Sequence, residues 1–181
     1  MRQLKRAITA LAARRGYRIT RIPDDPWELY PEASQRHRDV IAAVLPYTMT
    51  PPTRVWNLLN AVDYVIDQDI PGAMVECGVW RGGSVMAMAL ELLERGAADR
   101  ELWLYDTFAG MTEPTSADVI AATGRTAVER LRETPFSEGL NIWAYASRAD
   151  VAANLERTGY PAHLLRFVQG DVAMSLRQIV P

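Results

Sequence analysis

The spacing of apolar residues predicts that the first part of the chain is helical. Apolar positions recur at helical spacing within residues 33–45, and Pro46 should end this helix because proline has no backbone N–H to donate. A second helix is predicted from Thr53, its expected N-cap, to the break at Pro71-Gly72, since apolar residues recur there at i, i+3, i+4 and i+7. Residues 1–71 are therefore predicted to form an N-terminal helical region.

After this break the pattern changes to short apolar runs that alternate with helical stretches. A buried run ends at Glu76, a glycine-rich turn follows, and helical spacing resumes at Val85 and stops at Gly96. Strand, glycine turn, helix and strand form a βαβ unit, whose strands are parallel and whose crossover is right-handed. Residues 72–181 are therefore predicted to form an α/β domain, in which the long connection 107–145 is a lid or a binding loop. Its strands are predicted at residues 73–76, 101–105 and 164–168, and a further helix at residues 147–158.

Composition excludes several classes of protein. Of the 181 residues, 49% are hydrophobic and 23% are charged, as in an ordinary single-domain globular protein. The net charge of −2 argues against a surface that coats nucleic acid. The single cysteine, Cys77, excludes an intrachain disulfide, and two histidines leave little material for a transition-metal site. Since there is neither an apolar run of roughly 20 residues, as a membrane-spanning helix needs, nor a recognisable secretion signal, we expect a cytoplasmic protein.

Positive charge is concentrated at the N-terminus. Residues 1–22 carry seven basic side chains and no acidic one, while Leu4, Ile8 and Leu11 share one helical face. Such a helix can dock on an anionic membrane or on a partner. It can equally pack its apolar stripe on the domain and leave its charges in water, and the sequence leaves both interpretations open.

Two carboxylates and a set of glycines follow the first two predicted strands. Glu76 and the glycine turn stand at the end of the first strand, and Asp106 ends the second. Ligands of parallel sheets bind beyond the carboxyl ends of the strands, where glycines allow the backbone to approach them. A carboxylate at the second strand end can accept both hydroxyls of a ribose. The pair therefore favours a cofactor that contains a nucleoside.

The glycine pattern distinguishes between such cofactors. The spacing Glu76-x-Gly78-x-x-x-Gly82 differs from the G-x-G-x-x-G fingerprint of dinucleotide sites. A carboxylate before the first glycine is poorly suited to a pyrophosphate and well suited to an ammonium, which favours S-adenosylmethionine over a nicotinamide dinucleotide. The alternative is that the glycines only allow tight packing of strand and helix and that Glu76 is a solvated strand end.

Three stretches together resemble the macrocin O-methyltransferase family. They are Val-Glu-Cys-Gly-Val-Trp-Arg-Gly-Gly-Ser at 75–84, Tyr-Asp-Thr-Phe-Ala-Gly-Met at 105–111 and Tyr-Thr-Met-Thr at 47–50, and the likeness extends over roughly residues 40–181. The family methylates sugar hydroxyls of macrolide and aminocoumarin antibiotics, and related members act in polysaccharide pathways. The resemblance implies a Rossmann-like class I methyltransferase fold, of which this chain would hold the first half of the doubly wound parallel sheet, and a sugar or small glycoside as substrate.

The resemblance also implies which residues bind the cofactor S-adenosylmethionine. Segment 48–49 would pack beside it, segment 76–80 would hold its methionine and ribose, segment 107–110 would shape the floor, and the region of Asp171 would meet the adenine. The implied cofactor-binding residues are Thr48, Met49, Glu76, Cys77, Gly78, Val79, Trp80, Gly82, Asp106, Thr107, Phe108, Gly110 and Asp171.

A metal site and a catalytic base are not identified in the sequence. In the family, Mg²⁺ is held by aspartates of a Leu-Asp-x-Asp and an Asp-Asp-Tyr stretch, and neither occurs here, so Mg²⁺ is expected only with a further C-terminal half. Glu113 and Asp118 are candidate bases, or simply solvated loop carboxylates. We therefore expect a C-terminally incomplete chain without measurable sugar methylation of its own.

Two other interpretations remain open. One is an inactive remnant that still binds a nucleoside, and the other is half of a nicotinamide-dependent oxidoreductase. An incomplete sheet would leave one edge of the strand at 73–76 without a partner, and an exposed apolar edge favours association, so a homo-oligomer is possible.

Overall fold

The structure is a computed structural model that describes residues 2–17, 27, 30–133, 143–178 and 181. The chain divides into two compact units, Met1–Ser34 and Gln35–Pro181. The first unit contains helix α1, Arg2–Arg14, on which Ile8 and Leu11 are about half exposed. In the described part of the chain, every helix is too short or too polar to cross a membrane.

The second unit is a three-stranded parallel sheet with helices. Its strands are β1, Met74–Cys77, β2, Leu102–Asp106, and β3, Leu165–Gln169, in the order β1-β2-β3. The α/β fold with a parallel sheet is therefore confirmed. The α-helices are α2, Gln35–Val44; α3, Pro52–Asp67; α4, Gly83–Glu94; α5, Ala127–Glu133; α6, Arg148–Glu156; and α7, Val172–Gln178. Two 3-10 turns, Leu45–Tyr47 and Ala162–Leu164, complete the regular structure of this unit as described.

The core lies between the central strand and the helix of the first βαβ unit. In β2, Leu102, Leu104 and Tyr105 have no exposed surface. Helix α4 is apolar on most of its faces and is buried on most of them, as expected for a helix between other elements. The strand register places the carboxyl ends of the three strands side by side, since Cys77 pairs with Tyr105 and Asp106 pairs with Gln169.

Several predicted boundaries shift when packing is taken into account. Each strand begins and ends one residue later than predicted, because Cys77, Asp106 and Gln169 still pair in the parallel ladder. The expected N-cap role of Thr53 is wrong: Pro51 occupies the cap without a side-chain bond, and Pro52 starts the helix with its preset φ. Pro46 lies inside the 3-10 turn that follows α2 rather than beyond the end of the helical segment.

The long connection 107–145, predicted to be a lid or a binding loop, is described except for residues 134–142. It contains α5 and an antiparallel bridge between Val119 and Thr126. At its end, Ser147 caps α6 in a capping box with Asp150, so the predicted helix at 147–158 begins one residue later.

Candidate functional site

A cavity of about 340 Å³ lies at the carboxyl ends of the strands. Seven of the predicted site residues line it: Met49, Gly78, Trp80, Asp106, Thr107, Gly110 and Asp171. Gly170, beside Asp171 in the region predicted to meet the adenine, also lines it. Five further lining residues were not predicted: Tyr105, Met111, Thr112, Ala144 and Val172. The lining does not include the other six predicted residues, which are Thr48, Glu76, Cys77, Val79, Gly82 and Phe108. The structure therefore brings the three sequence motifs to one place.

A larger cavity, of about 600 Å³, lies at the opposite ends of β1 and β2. Arg100, its basic lining residue, already donates to the carbonyls of Ile70, at 2.7 Å, and Gly72, at 3.1 Å. Because ligands of parallel sheets bind at the carboxyl strand ends, the smaller cavity is the candidate site.

Asp106 organises the glycine turn. Its Oδ2 accepts hydrogen bonds from the backbone N–H of Val79, at 2.6 Å, and of Trp80, at 3.1 Å. Its Oδ1 accepts from the N–H of Phe108 at 2.8 Å. A carboxylate has about four acceptor positions, so Asp106 holds the turn and keeps capacity for a hydroxyl of a ligand.

Backbone strain is concentrated around the cavity. Trp80, Phe108 and Ala144 have φ of 48°, 51° and 51°, in the left-handed region that side chains other than glycine rarely adopt. Two of these residues donate their N–H to Asp106, which offsets the strain. Strain of this kind, about 1–3 kcal/mol per residue, collects at ligand sites.

Two buried polar atoms at the glycine turn have no hydrogen-bond partner within the described chain. One is Oε2 of Glu76 and the other is the indole Nε1 of Trp80. Burial raises the pKa of Glu76 to about 7, the charge of Asp106 adds to this, and hydrogen bonds with Ser84 and Val85 oppose it. An unpaired acceptor and an unpaired donor at one turn are the features that a polar, cationic ligand would satisfy.

The floor of the cavity is held by contacts between its loops. Thr107 Oγ1 donates to the carbonyl of Gly110 at 2.6 Å, and the N–H of Met111 donates to the carbonyl of Trp143 at 2.8 Å. Gly110 has φ 90°, and a Cβ there would lie 2.9 Å from the same Trp143 oxygen. Only glycine therefore allows the two loops to approach this closely.

Asp171 and Asp118 have structural partners of their own. Asp171 Oδ1 accepts from the N–H of Ala173 at 2.8 Å, at the start of α7, although the residue also lines the cavity. Asp118 accepts from the N–H and the hydroxyl of Thr115, which hold its pKa below the usual range. Asp118 therefore closes an exposed turn, and Glu113 is also exposed.

A second cluster of charged side chains joins α2, α3 and α4. His37, Asp63 and Glu91 place ligand-type atoms within 4.8 Å of one another. Arg36 already binds this cluster: Nη2 lies 3.2 Å from Asp63 Oδ2, and Nη1 is in ion-pair contact with Glu91. Burial and a hydrogen bond with Asp63 raise the pKa of Glu91, while burial lowers the pKa of His37. Because the guanidinium contacts both carboxylates, the cluster is a buried ion network that ties three helices together.

Comparison with known proteins places the chain among O-methyltransferases. The 8-demethyl-8-(2,3-dimethoxy-alpha-L-rhamnosyl)-tetracenomycin-C 4'-O-methyltransferase of Streptomyces olivaceus is 36% identical over 124 residues, which are 68% of this chain and 44% of that protein. The mycinamicin III 3''-O-methyltransferase of Micromonospora griseorubida is 28% identical over 131 residues, 68% of this chain and 46% of that protein. The chain thus spans less than half the length of these two relatives.

The fold comparison agrees with the sequence comparison. The solved structure of the O-methyltransferase NovP superposes with a TM-score of 0.58 at 27% identity, covering 73% of this chain and 50% of that one. Residues 22–179 match the family described as macrocin-O-methyltransferase (TylF), which is most of the chain. The chain therefore belongs to the macrocin-O-methyltransferase family.

Proposed function

We propose that this chain is the cofactor-binding part of an S-adenosylmethionine-dependent O-methyltransferase that acts on a hydroxyl of a sugar or a glycosylated natural product. Family membership supports methyl transfer, and the names of the tetracenomycin and mycinamicin relatives support a glycosylated acceptor. A sugar of a polysaccharide is the alternative acceptor.

The observation that carries this proposal is the charge of the cavity. Among the described residues that line it there are two aspartates and no basic side chain, and a half-buried carboxylate, Glu76, lies on the strand that leads into the glycine turn. A dinucleotide carries a pyrophosphate, which needs N–H groups or cations. The N–H groups of Val79 and Trp80 are already bound to Asp106. The site therefore suits a ligand with positive charge and a ribose but without phosphate, as S-adenosylmethionine is.

Individual groups fit parts of this cofactor. The unpaired Oε2 of Glu76 would accept from its ammonium, and the free indole N–H of Trp80 is a donor at the same turn. Asp106 would accept from one ribose hydroxyl at its remaining acceptor position, and Asp171 and Val172 would border the adenine. Met49, which is 61% exposed, would cover the cofactor from the side of residues 45–50.

The reaction would depend on positioning by these residues. When bound, the cofactor supplies an electrophilic methyl group on a sulfonium. The chain would hold that ligand in a fixed orientation, which favours one approach of the acceptor hydroxyl. Orientation of this kind contributes about 7–11 kcal/mol to barrier lowering in well-aligned systems.

Magnesium is not included in this mechanism. Within the described ranges, the three-residue cluster with metal-ligand spacing is the one at His37, Asp63 and Glu91, which Arg36 already binds. The described residues that line the cavity do not offer a comparable set of ligands for a metal ion.

Calorimetric titration tests the proposal. S-adenosylmethionine and S-adenosylhomocysteine should bind the chain, and NADH should not. Asp106→Ala should weaken S-adenosylmethionine binding by about 1–3 kcal/mol, because hydrogen bonds to a charged group are lost. Binding of NADH without binding of S-adenosylmethionine would reject the assignment. Transfer of a labelled methyl group to a panel of rhamnosides tests the acceptor class.

A further inference from the structure

Arg81 is in the glycine turn but is not among the residues that line the cavity. Its neighbour Trp80 and the glycine at 78 do line it, as does Met49 on a separate segment. The side chain of Arg81 extends to that separate segment, residues 45–50, which joins α2 to α3. It therefore connects two walls of the cavity from outside.

Three contacts fix the guanidinium. Nη1 donates a hydrogen bond to the carbonyl of Pro46 at 3.0 Å. The guanidinium carbon lies 5.2 Å from the ring centre of Tyr47 and 6.0 Å from that of Trp80, both within cation–π range. One side chain thus holds a backbone carbonyl and an aromatic ring of the 45–50 segment, and an aromatic ring of the glycine turn.

The 45–50 segment also packs closely against the start of α4. A Cβ placed on Gly83, the first residue of α4, would lie 2.6 Å from the carbonyl oxygen of Tyr47 and 2.6 Å from Cβ of Thr48. Such distances are prohibitive, so the 45–50 segment lies directly on the helix start. Thr48 Oγ1 then accepts from the N–H of Thr50 at 3.0 Å, which shapes the loop that presents Met49.

The backbone of Arg81 is anchored from the opposite side. Its carbonyl accepts from Nδ2 of Asn154 on α6 at 3.0 Å, and Asn154 is buried. The neighbouring Gly82 is also packed, since a Cβ there would lie 3.2 Å from Val151. The backbone from which the Arg81 side chain extends to the 45–50 segment is therefore held in place by α6.

We propose that Arg81 is a positioning residue that holds the 45–50 segment against the glycine turn and thereby sets the Met49 wall of the cofactor cavity. The guanidinium does not contact the ligand. It acts through Met49, and its loss should release the wall while leaving the carboxylates of the site in place. This inference rests on the proposed function, because the cavity is taken to hold S-adenosylmethionine.

Hydrogen–deuterium exchange tests the structural half of the proposal without any ligand. In Arg81→Gln, the amides of Thr48 and Thr50 should exchange at least about fivefold faster than in the wild type, since local opening controls exchange. Arg81→Lys keeps a cation over both rings and should give an intermediate rate. Arg157→Gln, an exposed arginine at the end of α6, is the matched control and should change nothing. Equal rates in wild type and Arg81→Gln overturn the proposal.

Calorimetry with S-adenosylmethionine tests the functional half. Arg81→Gln should raise Kd about tenfold, and Met49→Ala should raise it by a similar factor without faster exchange. If Arg81 acts through Met49, the double variant should bind only slightly more weakly than either single variant. Fully multiplicative effects would show that Arg81 acts independently and would overturn the proposal.

Different measurements test the binding of S-adenosylmethionine and the positioning role of Arg81. A wild-type chain that does not bind S-adenosylmethionine contradicts the proposed function, and the exchange rates still decide the role of Arg81. Should Arg81→Gln fail to fold, Tyr47→Leu removes the ring beneath the guanidinium from the other side. It should accelerate exchange in the 45–50 segment in the same way, and unchanged exchange would overturn the proposal.

Discussion

Replacing Glu76 by glutamine should change stability and cofactor affinity in opposite directions. Burial raises the pKa of this carboxyl from 4.5 to about 7, and its Oε2 has no partner among the described residues. The folded protein therefore favours the protonated form, whereas binding of an ammonium requires the ionised form. Glutamine has nearly the same shape and cannot ionise.

The effect on stability follows from proton linkage. Because the folded state binds this proton more tightly than the unfolded chain, the contribution of Glu76 to stability is complete below pH 4.5 and falls as the pH rises to about 7. The difference between the two pKa values corresponds to a loss of about 3 kcal/mol, as an upper bound. Glu76→Gln should therefore lie within about 1 kcal/mol of the wild type at pH 5 and exceed its unfolding free energy by up to about 3 kcal/mol at pH 8.

The effect on affinity has the opposite sign. If only the ionised form of Glu76 binds the ammonium, the apparent Kd of the wild type should rise roughly tenfold from pH 7.5 to pH 6. In Glu76→Gln the Kd should be higher at pH 7.5, because a charged hydrogen bond worth about 1.5–3 kcal/mol is lost. It should also be nearly constant over this pH range.

Urea denaturation at pH 5 and pH 8 and calorimetry between pH 6 and pH 7.5 provide the measurements. Glu94→Gln, an exposed glutamate at the end of the same α4 helix, is the control. Glu91 also has a raised pKa, but it is present in both proteins. Its contribution to the pH dependence therefore cancels in the difference between their unfolding free energies. A stability difference that is the same at both pH values would refute the role of burial. A wild-type Kd independent of pH would refute the role of Glu76 in ammonium binding.

Three further substitutions test other parts of the structure. Asp106→Ala removes three acceptor contacts from the turn, so its unfolding free energy in urea should fall by about 2–4 kcal/mol; a loss confined to ligand binding would contradict the turn-holding role. Gly83→Ala should lower the free energy of unfolding by about 1–3 kcal/mol, because the new Cβ would lie 2.6 Å from the Tyr47 carbonyl oxygen. An unchanged free energy of unfolding would show that the 45–50 segment can move away without cost. Arg36→Met should destabilise the protein by about 3–5 kcal/mol at pH 7.5, since it leaves the buried carboxylate of Glu91 without its cation, whereas Asp63 keeps its ion pair with Arg95. Thermal unfolding within about 2 °C of the wild type would exclude this.

Much of the fold could be predicted from the sequence because its signals are local. The turn at 78–83 and the strand ends at Glu76 and Asp106 follow from hydrophobic periods and from glycine, both of which depend on near neighbours along the chain. Parallel strands place their carboxyl ends at one edge, so two residues 30 positions apart could be assigned to one site from the strand pattern alone. The predicted helix cap at Thr53 is wrong because two adjacent prolines provide another start.

The contacts between side chains of different helices and loops depend on tertiary packing and could not be predicted from the sequence. Arg81 and the Pro46 carbonyl are 35 positions apart in the sequence, and His37 and Asp63 are 26 apart. The hydrophobic periodicity of helices and strands does not indicate contacts over such separations. These contacts depend on how α2, α3 and α4 pack, which fixes side chains from distant segments within hydrogen-bond range. Local sequence patterns are sufficient to predict the elements and the strand ends that carry Glu76 and Asp106, because backbone pairing and burial follow those patterns. The closure of the cavity by the 45–50 segment was decided in three dimensions, since it requires the close approach at Gly83 and a side chain long enough to bridge it.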